Sequence, residues 1–255
     1  MFPNAMGEAV RVEMDKWERR ELFAFFDGFT EPFHGVCVRV DCTESFRYAK
    51  DQKLSIFLTL VHRSLVAVNQ LENWKLRSMD GEVWRYETIH GGSAVGRPNG
   101  TIGFAYHRFR AELKDFVREA SLDVQRAKAS EGLTRYAGQD LIRYSTLPWL
   151  DFTSLSHARD LSKRESIPLI TFGKITEANG RCTLPVSIHV HHGLVDGEHV
   201  ARFVELFERE LGRGDGVLGL GPGKREQGTG NREQGTGNRE QGTGNRDQGV
   251  GSKQQ

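Results

Sequence analysis

Long apolar runs are missing from this sequence. Its most hydrophobic stretch, Ser55 to Val68, is interrupted by His62 and Arg63, and the first twenty residues hold no apolar block of the kind an export signal needs. The reading is a protein that neither crosses nor binds a membrane, with a cytoplasmic location. Cysteine is scarce: Cys37, Cys42 and Cys182 are odd in number and show no CxxC spacing, which argues against a disulfide framework and a thiolate zinc site. They are expected to be reduced, mostly buried and small apolar in character. An excess of one charge is also lacking, since 35 Lys+Arg against 34 Asp+Glu leave a formal charge of +1. A nucleic-acid partner therefore has no bulk electrostatic footprint. No GxSxG elbow occurs, so a hydrolase-type nucleophile has no motif to sit in.

Glycine, in contrast, is abundant at one end. The last 42 residues hold 13 of the 29 glycines, and after Leu220 the only large aliphatic is Val250. From Arg225 the chain reads REQGTGN three times and then RDQGVGS. The period is seven, yet no apolar pair occupies a and d positions, so no coiled-coil seam can form and disorder is expected. The boundary is placed between a body, residues 1–213, and a tail, residues 214–255. Gly214, Gly216 and Gly219 satisfy GxGxxG literally, but they follow a helical pattern where a phosphate loop needs a preceding strand.

Within the body, Asp15 can cap a helix running to about Phe26. Val36, Val38 and Val40 alternate with polar or small residues as in a half-buried strand. Ser55 to Leu71 has helical spacing, Phe109 to about Ala129 fits a long amphipathic helix, and a closing helix starts near Asp196. Asp80-Gly81 and Asn179-Gly180 mark hairpins, the second between Leu169 to Ile175 and Cys182 to His191. Strands and helices alternate without a regular βαβ rhythm, which predicts a mixed sheet with packed helices.

One constellation carries chemistry. A strand ending LPVSIHVHH meets the last helix through His191-His192-Gly193-Leu194-Val195-Asp196-Gly197. A histidine at a strand-to-helix turn can face a cleft, and neutral imidazole can take a proton from an attacking hydroxyl. A metal site built on His189, His191, His192 and His199 is disfavoured, because the HxHxDH pattern would need Asp where Gly193 stands. The alternative of histidines that only satisfy core hydrogen bonds is weakened by the turn, the Gly and the Asp four residues on.

HHxxxDG resembles the signature of the coenzyme A-dependent acyltransferases. Three further segments are similar to chloramphenicol acetyltransferases in order and spacing: Trp17 to Phe23, Pro148 to Ser154 (PWLDFTS) and Pro168 to Lys174 (PLITFGK). The resemblance covers Trp17 to about Leu211. It implies an α+β two-layer sandwich with a mixed β-sheet, and a homotrimer whose sites lie between subunits. It also implies acetyl-CoA as co-substrate, no metal, and a small-molecule hydroxyl acceptor such as chloramphenicol. Residue by residue, it implies His192 as general base and Ser154 as oxyanion donor, with Asp196 and Arg19 forming a buried ion pair that pins the turn. Thr171 would hold a water near the oxyanion, Phe26 and Thr101 would line the acceptor pocket, and Lys174 would lie near coenzyme A. Phe26 stands where the family has a tyrosine, and Ile175 where many members have an aromatic. Two alternatives stay open: a trimeric binding module without turnover, and an acyltransferase core with a different acceptor.

Overall fold

The computed structural model describes residues 8–214 apart from Thr134 and Ser162. The repeat tail, and with it the expected disorder, lies outside the described residues. Fifteen helices and strands follow in the order β1 (Ala9–Arg11), α1 (Arg20–Asp27), β2 (Phe33–Asp41), α2 (Thr43–Asp51), α3 (Ile56–Asn69), β3 (Leu76–Met79), β4 (Glu82–Tyr86), β5 (His90–Gly96), β6 (Ile102–His107), α4 (Leu113–Ala129), β7 (Leu141–Thr146), β8 (Leu169–Phe172), β9 (Thr176–Ala178), β10 (Arg181–His191) and α5 (Gly197–Leu211).

The main sheet runs β2-β10-β8-β7-β5-β6, with β9 hairpinned onto β10, and β1-β4-β3 form a small second sheet. It is mixed: β5, β7 and β8 are parallel, the other pairs antiparallel. Period-two alternation gives its strands two unlike faces. Val186, Ile188 and Val190 of β10, Ile170 and Phe172 of β8 and Ile142 of β7 join the helices in one core with Leu65 of α3, Phe116 of α4 and Phe203 of α5. The opposite face presents Arg143 and Ser145 on β7, Thr171 on β8, and Ser187, His189 and His191 on β10, in continuous register. Over that face passes the segment 147–168, whose Leu155 carbonyl accepts from His189 Nε2 at 3.1 Å and whose His157 Nε2 lies 3.2 Å from Thr171 Oγ1.

Local chemistry explains most boundaries. Ser55 caps α3, its hydroxyl accepting from the Leu58 N–H at 3.3 Å. Asp80-Gly81 and Asn179-Gly180 both hold two consecutive positive φ angles, the geometry a two-residue hairpin needs. Of the strand expected over Leu169 to Ile175 only Leu169–Phe172 forms: the chain leaves the ladder at Gly173, where a Cβ would lie 2.5 Å from Pro185 Cγ, and pairs again only as β9 beyond Ile175. Asp15 caps no α-helix. It sits in a short 3-10 turn, Trp17 is extended, and α1 begins at Arg20 with Arg19 as its uncapped N-cap. The reason is tertiary: Trp17 turns onto the core beside Phe23, at 5.8 Å between rings, and Arg19 reaches α5. Cys42 and Cys182 are buried free thiols, and Cys37 is half-buried.

Candidate active site

β10 ends at His191 because its pairing with β2 ends there. The next residue bonds to the loop before β2, the His192 N–H donating to the Pro32 carbonyl at 2.8 Å. The chain then folds tightly, with the Leu194 and Val195 N–H groups both donating to the His191 carbonyl at 3.0 and 2.9 Å. Gly193 makes this turn possible: a Cβ there would stand 3.0 Å from the Phe23 Cα of α1. Two side chains tie down two further carbonyls of the turn, Asn73 donating to Leu194 at 3.1 Å and His34 Nε2 to Val195 at 3.0 Å.

The His192 imidazole is held between two rings. Phe26 lies 4.0 Å away and nearly parallel, at 6°, and His34 lies 4.4 Å away at 38°. Its Nδ1 is buried and has no hydrogen-bond partner among the described residues. Of the two ring nitrogens, only Nε2 is therefore left for an incoming group. His191, by contrast, points inward. Burial drives its pKa down to about 4 against the opposing pull of Asp27, whose Oδ1 is 3.5 Å from His191 Nε2. A polar cavity of about 210 Å³ opens on that side, with Asp27, Ser78, Arg159, Arg164 and His191 in its wall.

Asp196 anchors the far end of the turn. Its Oδ1 accepts from the His199 N–H at 3.3 Å as the cap of α5, and from His199 Nδ1 at 2.6 Å, while Oδ2 accepts from Arg19 NH1 at 2.8 Å. Burial alone would raise its pKa, but the Arg19 and His199 hydrogen bonds and charges outweigh it and hold the carboxyl at about 2. The expected ion pair is thus present. It is only partly buried, however, the two side chains being 21% and 26% exposed. Both carboxylate oxygens of Asp196 are thus engaged, by His199 and by Arg19.

The remaining expected residues are dispersed. Thr171 is buried in the sheet, and Ser187, its partner on β10, lies four residues before His191, a separation of about 13 Å along a strand. A single chain therefore does not bring Thr171 to its own His192. Ser154 is exposed on the segment after β7 and has no hydrogen bond among the described residues. Sequence reading passed over Ser145, which stands in register beside Thr171 on the same face of the parallel β7–β8 pair. Thr101 is exposed in the β5–β6 turn, its hydroxyl donating to Asn99 Oδ1 at 2.7 Å. Lys174 is exposed just after β8, with its N–H bonded to the Leu150 carbonyl at 2.8 Å. Also unread in sequence was His34, whose only signal was a lone histidine on a valine-rich strand. No cluster of three or more His, Cys, Asp or Glu suited to a metal occurs among the described residues, and no described helix is long and apolar enough to cross a membrane.

Comparison with known proteins bears on these arrangements. The family model of chloramphenicol acetyltransferase matches residues 8–208. A chloramphenicol acetyltransferase of Bacillus pumilus is 23% identical over 194 residues, spanning 75% of this chain and 88% of the relative. A solved chloramphenicol acetyltransferase superposes with a TM-score of 0.73 at 28% identity, covering 80% of this chain and 100% of that one. A dihydrolipoamide acetyltransferase of Azotobacter vinelandii superposes with a TM-score of 0.57 at 18% identity over 72% of this chain and 82% of its own.

Proposed function

Because the chain belongs to the chloramphenicol acetyltransferase family and is an acyltransferase, we propose that it moves the acetyl group of acetyl-CoA to a hydroxyl of a small molecule, with His192 as general base. The acceptor hydroxyl gives its proton to His192 Nε2 while its oxygen attacks the thioester carbon. The carbonyl becomes a tetrahedral oxyanion, the carbon–sulfur bond breaks, and the departing thiolate takes the proton back from the imidazolium. The observation that carries this reading is the ring held between Phe26 and His34 with Nδ1 buried, which presents a single basic nitrogen.

The separation of Thr171 from His192 within one chain supports a site completed by a second copy, as in the homotrimer the resemblance implies. The sequence resemblance assigns the oxyanion donor to Ser154; the register favours Ser145, the serine beside Thr171. A hydroxyl donor aimed at the developing oxyanion contributes several kcal/mol in such reactions. Phe26 would form part of the acceptor wall, with Thr101 and Lys174 as further contacts to acceptor and coenzyme A. The catalytic unit would be residues 1–213, in the cytoplasm.

The test is release of free thiol from acetyl-CoA with chloramphenicol and a panel of other hydroxyl acceptors. His192→Ala is expected to cost about a hundred- to ten-thousandfold in turnover. Equal inertness of wild type and variant across the panel would favour a binding module.

A further inference from the structure

The His34 side chain is placed by three contacts that have no need of each other. It stands on β2 opposite Val190 of β10, one pair before the ladder ends at Phe33 and His191. Its Nε2 lies 3.0 Å from the Val195 carbonyl, and because a carbonyl only accepts, Nε2 must carry a hydrogen. Its ring also covers the face of His192 away from Phe26, at 4.4 Å. The buried Nδ1 of His192 has no hydrogen bond to orient it, so ring contacts and the backbone of the turn must do so.

We propose that His34 is a positioning residue for the base: its ring closes the second face of the His192 imidazole, and its Nε2–H fixes the turn that carries it. The proposal rests on His192 being the base. Burial keeps His34 below the ordinary histidine pKa, with His192 adding to that effect and the Val195 hydrogen bond and Asp196 opposing it. His34 is accordingly neutral at working pH and adds no charge beside the base.

The test compares full-length wild type, His34→Ala and His34→Phe, the last keeping a ring and losing the donor. One readout is turnover of chloramphenicol with acetyl-CoA. The other is the rate at which diethyl pyrocarbonate acylates His192, followed peptide by peptide in the absence of any acceptor. For His34→Ala, misplacement of the base predicts a loss of about ten- to a hundredfold in kcat, with KM for acetyl-CoA within about twofold. Acylation of His192 should become several-fold faster as its face opens. His34→Phe should return the acylation rate to within about threefold of wild type and recover part, not all, of kcat, because the ring is restored and the donor to Val195 is not. Wild-type acylation in His34→Ala, or losses that fall on KM and are not rescued by phenylalanine, would overturn the positioning role. If His192→Ala itself retains wild-type turnover, the base reading fails, and the acylation rates still decide whether His34 holds the ring.

Discussion

Judged by distances between side chains, the interface of β5, β6 and α4 resembles a hydrolase centre more closely than the His192 turn does. Ser93 Oγ lies 2.8 Å from His107 Nε2, and His107 Nδ1 lies 4.0 Å from Asp123 Oδ2. Yet Ser93 is 3% exposed and His107 not at all, and burial alone pushes the His107 pKa down to about 4. Among the described residues His192 has no such serine and no carboxylate on its ring, but it sits half-buried on a loop with its Nδ1 buried and its Nε2 unpaired. Spacing of residue types is therefore a weaker guide to chemistry than access and the state of each ring nitrogen. The Ser93 cluster is a packing element in which the hydroxyl and His107 Nε2 satisfy each other, while His107 Nδ1 is buried with no hydrogen-bond partner among the described residues.

The sharpest break of this comparison is the exchange of phenotypes. His107→Phe should leave turnover within about threefold while costing about 1–3 kcal/mol of stability, the reverse of His192→Ala, because it strands the buried Ser93 hydroxyl. Denaturant titration beside the thiol-release assay measures both. Next in size, Ser145→Ala is expected to lower turnover by about a hundred- to a thousandfold with KM little changed, and Ser154→Ala to do far less. The opposite order would return the oxyanion donor to Ser154. Arg19→Ala and Asp196→Asn should each cost about 1–3 kcal/mol, below the value for a fully buried pair because both side chains keep some solvent. A double mutant no worse than either single one shows the coupling; additive losses would deny it.

Acid sensitivity is shared by the two regions. His62, His107 and His191 all have pKa values lowered to about 4, chiefly by burial. Between about pH 6.5 and 4 the unfolded chain binds more protons than the folded one, so stability should fall as the pH drops through that window. His107→Phe removes one of these protons, and its stability should depend less steeply on pH there. The smallest effect concerns the acceptor. Phe26→Tyr adds one phenol hydroxyl, a hydrogen bond worth about 0.5–1.5 kcal/mol, so chloramphenicol turnover should rise by no more than about twelvefold. A loss instead would show that the ring stacked on His192 has no room for it.

Much of this was legible in the chain. The Ser55 cap, the Asp80-Gly81 and Asn179-Gly180 turns and the helix opening at Asp196 depend on neighbours a few residues away, and the HHGLVDG segment carries its own turn. What failed depends on partners far along the chain. Asp15 looks like a cap until Trp17 is drawn to Phe23 and Arg19 to Asp196, 177 residues away. Ser145 and Ser154 are both serines near the same motif, and the proposed choice of Ser145 rests on the register of β7 against β8, which the chain alone does not display. His34 gains meaning only once β2 lies beside β10.

The close approach at Gly193 has a consequence for how this protein can change its substrates. The missing side chain lets the α1 backbone come to within 3.0 Å of where a Cβ would be, and α1 is also the element that carries Phe26. Placement of His192 and of the ring lying on it is thus one mechanical variable. A shift of α1 that widened the space near Phe26 would also unseat His192. Enlarging or recolouring the acceptor side without loss of rate must come from elements not clamped in this way. The segment after β7 is one: it meets α1 through the Arg164–Asp27 ion pair and the polar sheet face through His157, by side chains and not by a backbone approach. Directed diversification there should yield altered acceptor ranges at retained turnover, whereas diversification of α1 should mostly yield inactive protein.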